Sequence, residues 1–102
     1  MALSAPASER FEREYGCTVA DWLRWMPEAT AGHVRTHTGA ATLDVLIGAG
    51  CLHLAWQVLP ERVIALARLP RLQVAFHFDG VAAPVRSEFM RRFDLHLQRG
   101  GG

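Results

Sequence analysis

The stretch that decides the architecture is residues 41–80, ATLDVLIGAGCLHLAWQVLPERVIALARLPRLQVAFHFDG. β-Branched and aromatic residues alternate with small or polar ones, and the turn signals GAG, LPER and LPR fall about ten residues apart. This pattern predicts an antiparallel meander of four strands, at roughly 41–47, 51–58, 62–68 and 72–78. Pro60 and Pro70 suit the second position of a turn, where a fixed φ is wanted and no ladder donor is lost.

Two faces follow from the alternation. Leu52, Leu54, Trp56 and Val58 point one way, with Ile64 and Leu66 on the third strand and Leu72, Val74, Phe76 and Phe78 on the fourth. That bulky face is the expected core, since burying each such side chain is worth roughly 1.5–3 kcal/mol. The other face carries Cys51, His53, Ala55, Gln57, Val63, Ala65, Ala67, Gln73, Ala75, His77 and Asp79. With the simplest registers, Ala55, Ala65 and Ala75 stand abreast and make a floor that another backbone can approach closely. An apolar centre with polar ends marks Cys51, His53, Ala55, Gln57, Ala65, Gln73, Ala75 and His77 as a candidate interaction face. The N-terminal segment, a second subunit or a small ligand would each fit such a floor, and the alternative is a plain solvated face.

Working outward, SERFEREYG places Glu9–Arg13 and Arg10–Glu14 at i,i+4 spacing, which predicts two helical turns. Thr18 with Asp21 forms a capping-box pattern, and Val19, Trp22, Leu23 and Met26 share one face before Pro27, so a short helix is expected at about 18–26. TAGHVRTHTG reads equally as a weak strand or a loop. Downstream, Pro84 opens a helix of about 83–98 whose stripe is Val85, Phe89, Met90, Phe93 and Leu97, with Gly100 as its stop.

The chain's 102 residues suffice for one domain: a disordered tail at 1–8, a domain at 9–99 and a flexible glycine tail at 100–102. A formal net charge of +1 gives no case for a surface that tracks phosphates. Lys and Asn are absent, which excludes Schiff-base and Walker-type lysine chemistry. The two cysteines, Cys17 and Cys51, make no framework and are expected as free thiols. MALSAPASERFEREYG lacks the basic and apolar regions of a secretory signal, and apolar runs stop well short of the roughly 20 residues of a membrane span. A soluble cytoplasmic domain of bacterial type is the expectation.

Five histidines (33, 37, 53, 77 and 96) raise the question of a metal. His33 and His37 on an extended strand would lie roughly 13 Å apart, beyond the reach of one ion. The expected registers put His53 and His77 at opposite ends of the sheet, about 16 Å apart. Cys51 and His53 are neighbours on one face, and Asp44 joins them if its strand faces the same way. Cys17 precedes a helix start, where the dipole would lower its pKa, but no Gly-rich oxyanion loop accompanies it. The serines lack a nucleophile-elbow context. RSEFMRRFDLHLQR mixes bases with aromatics, yet the aromatics share its buried stripe and acids break its charge, so no nucleic-acid contact is expected.

The ending RGGG resembles the di-glycine carboxyl terminus of ubiquitin-like proteins and sulfur carriers, a resemblance that implies a conjugating tail. In those proteins the glycines follow a strand of a β-grasp sheet; here they follow a helical pattern, and a glycine stop explains them without further assumption. The expected fold is thus α+β and two-layered: a four-stranded antiparallel meander against a short N-terminal helix and a C-terminal amphipathic helix. The expected role is a non-enzymatic interaction or assembly module without cofactor, metal or catalytic residues, acting as a homodimer or with another protein. The alternative is a small-ligand or metal-binding protein using the Cys51/His53 face, and a remote one is a di-glycine carrier.

Overall fold

The computed structural model describes residues 8–99. The fold is α+β with an antiparallel sheet: β1 (Arg10–Tyr15), α1 (Val19–Ala29), β2 (Arg35–Gly39), β3 (Thr42–Ile47), β4 (Gly50–Ile64), β5 (Ala67–Asp79) and α2 (Ala83–Arg99). Among the described residues the sheet has five strands rather than four, in the order β1-β5-β4-β3-β2. After β1 the chain crosses to the far edge by way of α1, then returns strand by strand until β5 pairs with β1. The expected tails fall outside the described residues, apart from Ser8.

The core face is the one that the alternation of bulky residues foretells. Leu43, Val45, Ile47, Leu52, Leu54, Trp56, Leu72, Val74, Phe76 and Phe78 are buried, under Trp22, Met26 and Ala29 of α1 and Phe89, Met90, Phe93 and Leu97 of α2. Trp22 is the keystone, with ring centroids 5.4 Å from Tyr15, 5.9 Å from Trp56 and 6.0 Å from Phe93. The capping box forms as its residues require: Asp21 N–H donates to Thr18 Oγ1 (3.1 Å), and Thr18 N–H to Asp21 Oδ2 (3.3 Å). Helix α1 runs past Pro27, because the ring forfeits only one intrahelical bond and Ala29 and Thr30 are buried beyond it. Leu23 and Val85 leave the expected stripes for the surface.

Residues 10–15 form a strand, not helical turns. Phe11, Arg13 and Tyr15 turn inward in alternation, Phe11 stacking on Phe76 at 4.7 Å while Arg13 reaches Asp94 of α2. The glutamates find cross-strand partners instead of i,i+4 ones: Arg71 donates two hydrogen bonds to Glu14 at 2.9 Å, and Gln73 donates to Glu12 at 3.2 Å. The ambiguous segment yields β2, exposed along its whole length.

The largest correction concerns LPER and LPR, which are not turns. β4 and β5 form one long hairpin that reverses at Ala65–Leu66, with Ala65 at φ 54°. Both prolines sit where the ladder is already interrupted, at the irregularity between Leu59/Arg71 and Arg62/Leu69. Bulges and unneighboured edges are where a strand accepts a residue without N–H. The separate strand at 62–68 therefore does not exist. Ala55 pairs with Ala75, but Ala65 lies at the hairpin tip, so the row of three alanines fails. Val58, Ile64 and Leu66, expected in the core, are exposed.

Beyond Ala55 β4 has no pairing with β3, and beyond Leu72 towards the tip β5 has none with β1. The rest of the hairpin is a two-stranded arm outside the core. Its register puts Leu59, Leu69 and Ile64 on the side away from the helices and Val58 and Val63 on the other.

Candidate functional site

Three central strands place their polar residues on the side of the sheet opposite the helices. Asp44 of β3 stands across from His53 of β4, and His53 across from His77 of β5. Cys51, two residues before His53 and so on the same side, faces Asp79. The rings of His53 and His77 are 5.5 Å apart, not at opposite ends of the sheet, because a single hairpin replaces the expected two.

His53 Nδ1 lies 2.7 Å from Asp44 Oδ1 and 3.8 Å from Cys51 Sγ, while Asp79 Oδ2 is 3.9 Å from Nε2. One potential ligand atom from each of Asp44, Cys51 and His53 lies within 4.8 Å of the others, and all three residues are partly buried. Beside them the directly paired Ala55 and Ala75 leave a hollow of about 330 Å³, rimmed by Thr38, Thr42, Asp44, His53 and His77. Further along the same side Gln57 donates to Gln73 at 2.8 Å.

The trio does not form a nucleophilic relay. A general-base histidine takes the thiol's proton on one ring nitrogen and is oriented through the other. Here Cys51 and Asp44 both face Nδ1. Burial, and next the Asp44 carboxylate, push the Cys51 thiol above its ordinary pKa, which disfavours the thiolate. Cys17 also departs from expectation: burial and then Asp21 raise it to about 11, so desolvation outweighs the helix terminus. Both cysteines are free. Alkylation of the folded protein at mildly alkaline pH is expected to modify Cys51 at least about tenfold faster than buried Cys17. Peptide mapping by mass spectrometry reads this directly, and equal rates would contradict the burial of Cys17.

No family model, curated protein or solved structure matches this chain. Function must therefore be read from the geometry itself.

Of the residues singled out for the second face, Cys51, His53, Ala55, Gln57, Gln73, Ala75 and His77 share it, and Ala65 does not. Asp44 joins them, and its position between inward Leu43 and Val45 is the sequence signal that marks it as outward. His33 and His37 part company: His37 lies in β2, whereas His33 Nδ1 is 3.0 Å from Leu46 O and its ring meets Phe89 edge-on. A second cleft, of about 370 Å³, gathers Glu28, His33, Glu88, Arg92 and His96 over Ala29, Ile47 and Phe89. It assembles side chains from both helices and the end of β3, a convergence that no local motif announces. Among the described residues no helix is long and apolar enough to cross a membrane.

Proposed function

We propose that this chain is a small assembly module that works as a homodimer, with the β4–β5 arm as its docking element and no catalysis of its own. One observation carries the reading: the arm exposes Val58, Val63, Ile64, Leu66 and Leu69, and Leu66 at the tip is 101% exposed. A two-stranded ribbon is marginal in water on its own, and clustered aliphatic side chains outside a core mark an interaction site. A second copy is the favoured occupant because Leu59, Leu69 and Ile64 lie on the same side as the methyl floor of the sheet, offering one surface that two chains can share around a two-fold axis. The near-neutral chain, at +1, sets little charge repulsion against self-association.

Native mass spectrometry and light scattering at micromolar concentration are expected to show twice the chain mass. Replacing Ile64 and Leu66 together by Glu should weaken the dimer by about 30-fold or more, the scale of losing one interface hot spot. The circular dichroism spectrum should stay unchanged, since both side chains lie outside the core. A parent protein that stays monomeric under these conditions would sink the reading.

A further inference from the structure

Independently of how the chain assembles, we propose that Asp44, Cys51 and His53 form a binding site for a divalent transition-metal ion of the zinc type. Each supplies one donor atom, and a further position opens towards the hollow over Ala55 and Ala75.

The donor chemistry suits such an ion. A thiolate, an imidazole and a carboxylate together favour a borderline-soft cation over calcium or magnesium, which want oxygen alone. Metal–ligand bonds of about 2.0–2.3 Å at tetrahedral angles put neighbouring donor atoms roughly 3.3–3.6 Å apart. In the structure two edges of the donor triangle are 2.7 Å (His53 Nδ1 to Asp44 Oδ1) and 3.8 Å (Cys51 Sγ to His53 Nδ1), and the third is within 4.8 Å. The two short edges are within about 0.6 Å of the tetrahedral value, and the third closes by about an ångström at most, a shift that rotation of the partly exposed carboxylate and thiol supplies. The arrangement that defeats a nucleophilic relay favours coordination, because Nδ1 faces the same point as the sulfur and the carboxylate.

The scaffold is rigid where it matters. The three donors come from paired positions on adjacent central strands rather than from loops, which sets their spacing by register. Nδ1 of His53 donates to Asp44 at 2.7 Å, so an incoming ion takes the place of that proton between the same two atoms. Asp79, 3.9 Å from the other ring nitrogen, is a neighbouring acid rather than a hydrogen-bond partner. Bound together, thiolate, carboxylate and cation neutralise one another, so the clustering of two acids beside Cys51 favours the loaded site. With three protein ligands the ion keeps a site for water or a small donor, and the hollow rimmed by Thr38, Thr42 and His77 is where that donor would sit.

The test is titration of the reduced, metal-free protein with Co²⁺, then displacement by Zn²⁺. The expected result is one ion per chain, intense visible bands of a four-coordinate ion and a thiolate-to-cobalt charge-transfer band that Cys51→Ser abolishes. His53→Gln and Asp44→Asn should weaken binding by at least about tenfold, whereas His33→Gln, in the other cleft, should bind as the parent does. The donors are only partly buried, so these variants should fold. Should one of them unfold, protection of the parent decides: Zn²⁺ must slow alkylation of Cys51. Failure to bind Co²⁺ and Zn²⁺, an unchanged spectrum in Cys51→Ser, or undiminished alkylation of Cys51 with Zn²⁺ present would overturn the proposal.

Discussion

Trp22→Ala is expected to lower stability by about 4 kcal/mol and to bring the melting temperature down by roughly 15–30 °C. Trp22 has no exposed surface and touches aromatic rings from three other segments, so its removal leaves a void with walls that cannot collapse together. Those walls belong to the sheet and to α2, each held by its own ladder or helix. Its indole Nε1–H is buried without a hydrogen-bond partner, a deficit that makes Trp22→Phe milder. The smaller ring loses contact area but also removes an unsatisfied donor worth about 1–3 kcal/mol, so the net loss should stay under about 2 kcal/mol. Urea unfolding of both variants, with unchanged m, checks the ranking. An alanine variant with the parent's midpoint would show that the two helices do not meet the sheet through this residue.

Gly50→Ala is expected to cost about 3 kcal/mol, roughly 12–20 °C in melting temperature. A Cβ at Gly50 would lie 2.4 Å from Gly80 O and 2.6 Å from both Asp79 O and Gly80 C. All three atoms are backbone, so no side chain can swing aside, and the end of β5 must move off β4. Gly48 supplies the internal control: its φ is +60° and nothing lies within 4 Å of an added Cβ. Gly48→Ala should therefore lose only the left-handed penalty, about 1 kcal/mol. Thermal unfolding of the pair separates close approach from backbone conformation, and equal losses would contradict it. Because Cys51 directly follows Gly50, the same variant should also degrade metal binding.

What could be foreseen from the residues depended on how local the cause was. The inward rows Leu52–Leu54–Trp56 and Leu72–Val74–Phe76–Phe78 announce themselves by alternation, and the Thr18–Asp21 cap by its spacing. Phe89, Phe93 and Leu97 announce α2 by helical period. The charges of β1 fit a helix as well as a strand, and only pairing with β5 gives Glu12 and Glu14 their partners. β2 buries nothing, so no apolar period betrays it. Pro60 and Pro70 are the least legible of all. A missing N–H is as acceptable on the free edge of a lone ribbon as in a turn, and Ala65–Leu66 carries none of the Gly or Asn that announces a reversal. The Cys51–His53 pair is legible from its spacing on one strand, independently of those prolines. Merging two expected hairpins into a single long one pairs β4 directly with β5, and so brings His77 beside His53. Asp44 needed only the parity of β3, and was half in view already.

The opposed prolines have a further consequence for solubility. A bare ribbon rich in Val, Ile and Leu is the kind of edge on which chains stack indefinitely into cross-β filaments. Pro60 and Pro70 each lack an amide donor and sit at the irregularity of the ladder, which shortens the run of free amides that an incoming chain could extend. Stickiness is thereby separated from templating: the arm can hold one neighbour by its side chains without seeding a fibre through its backbone.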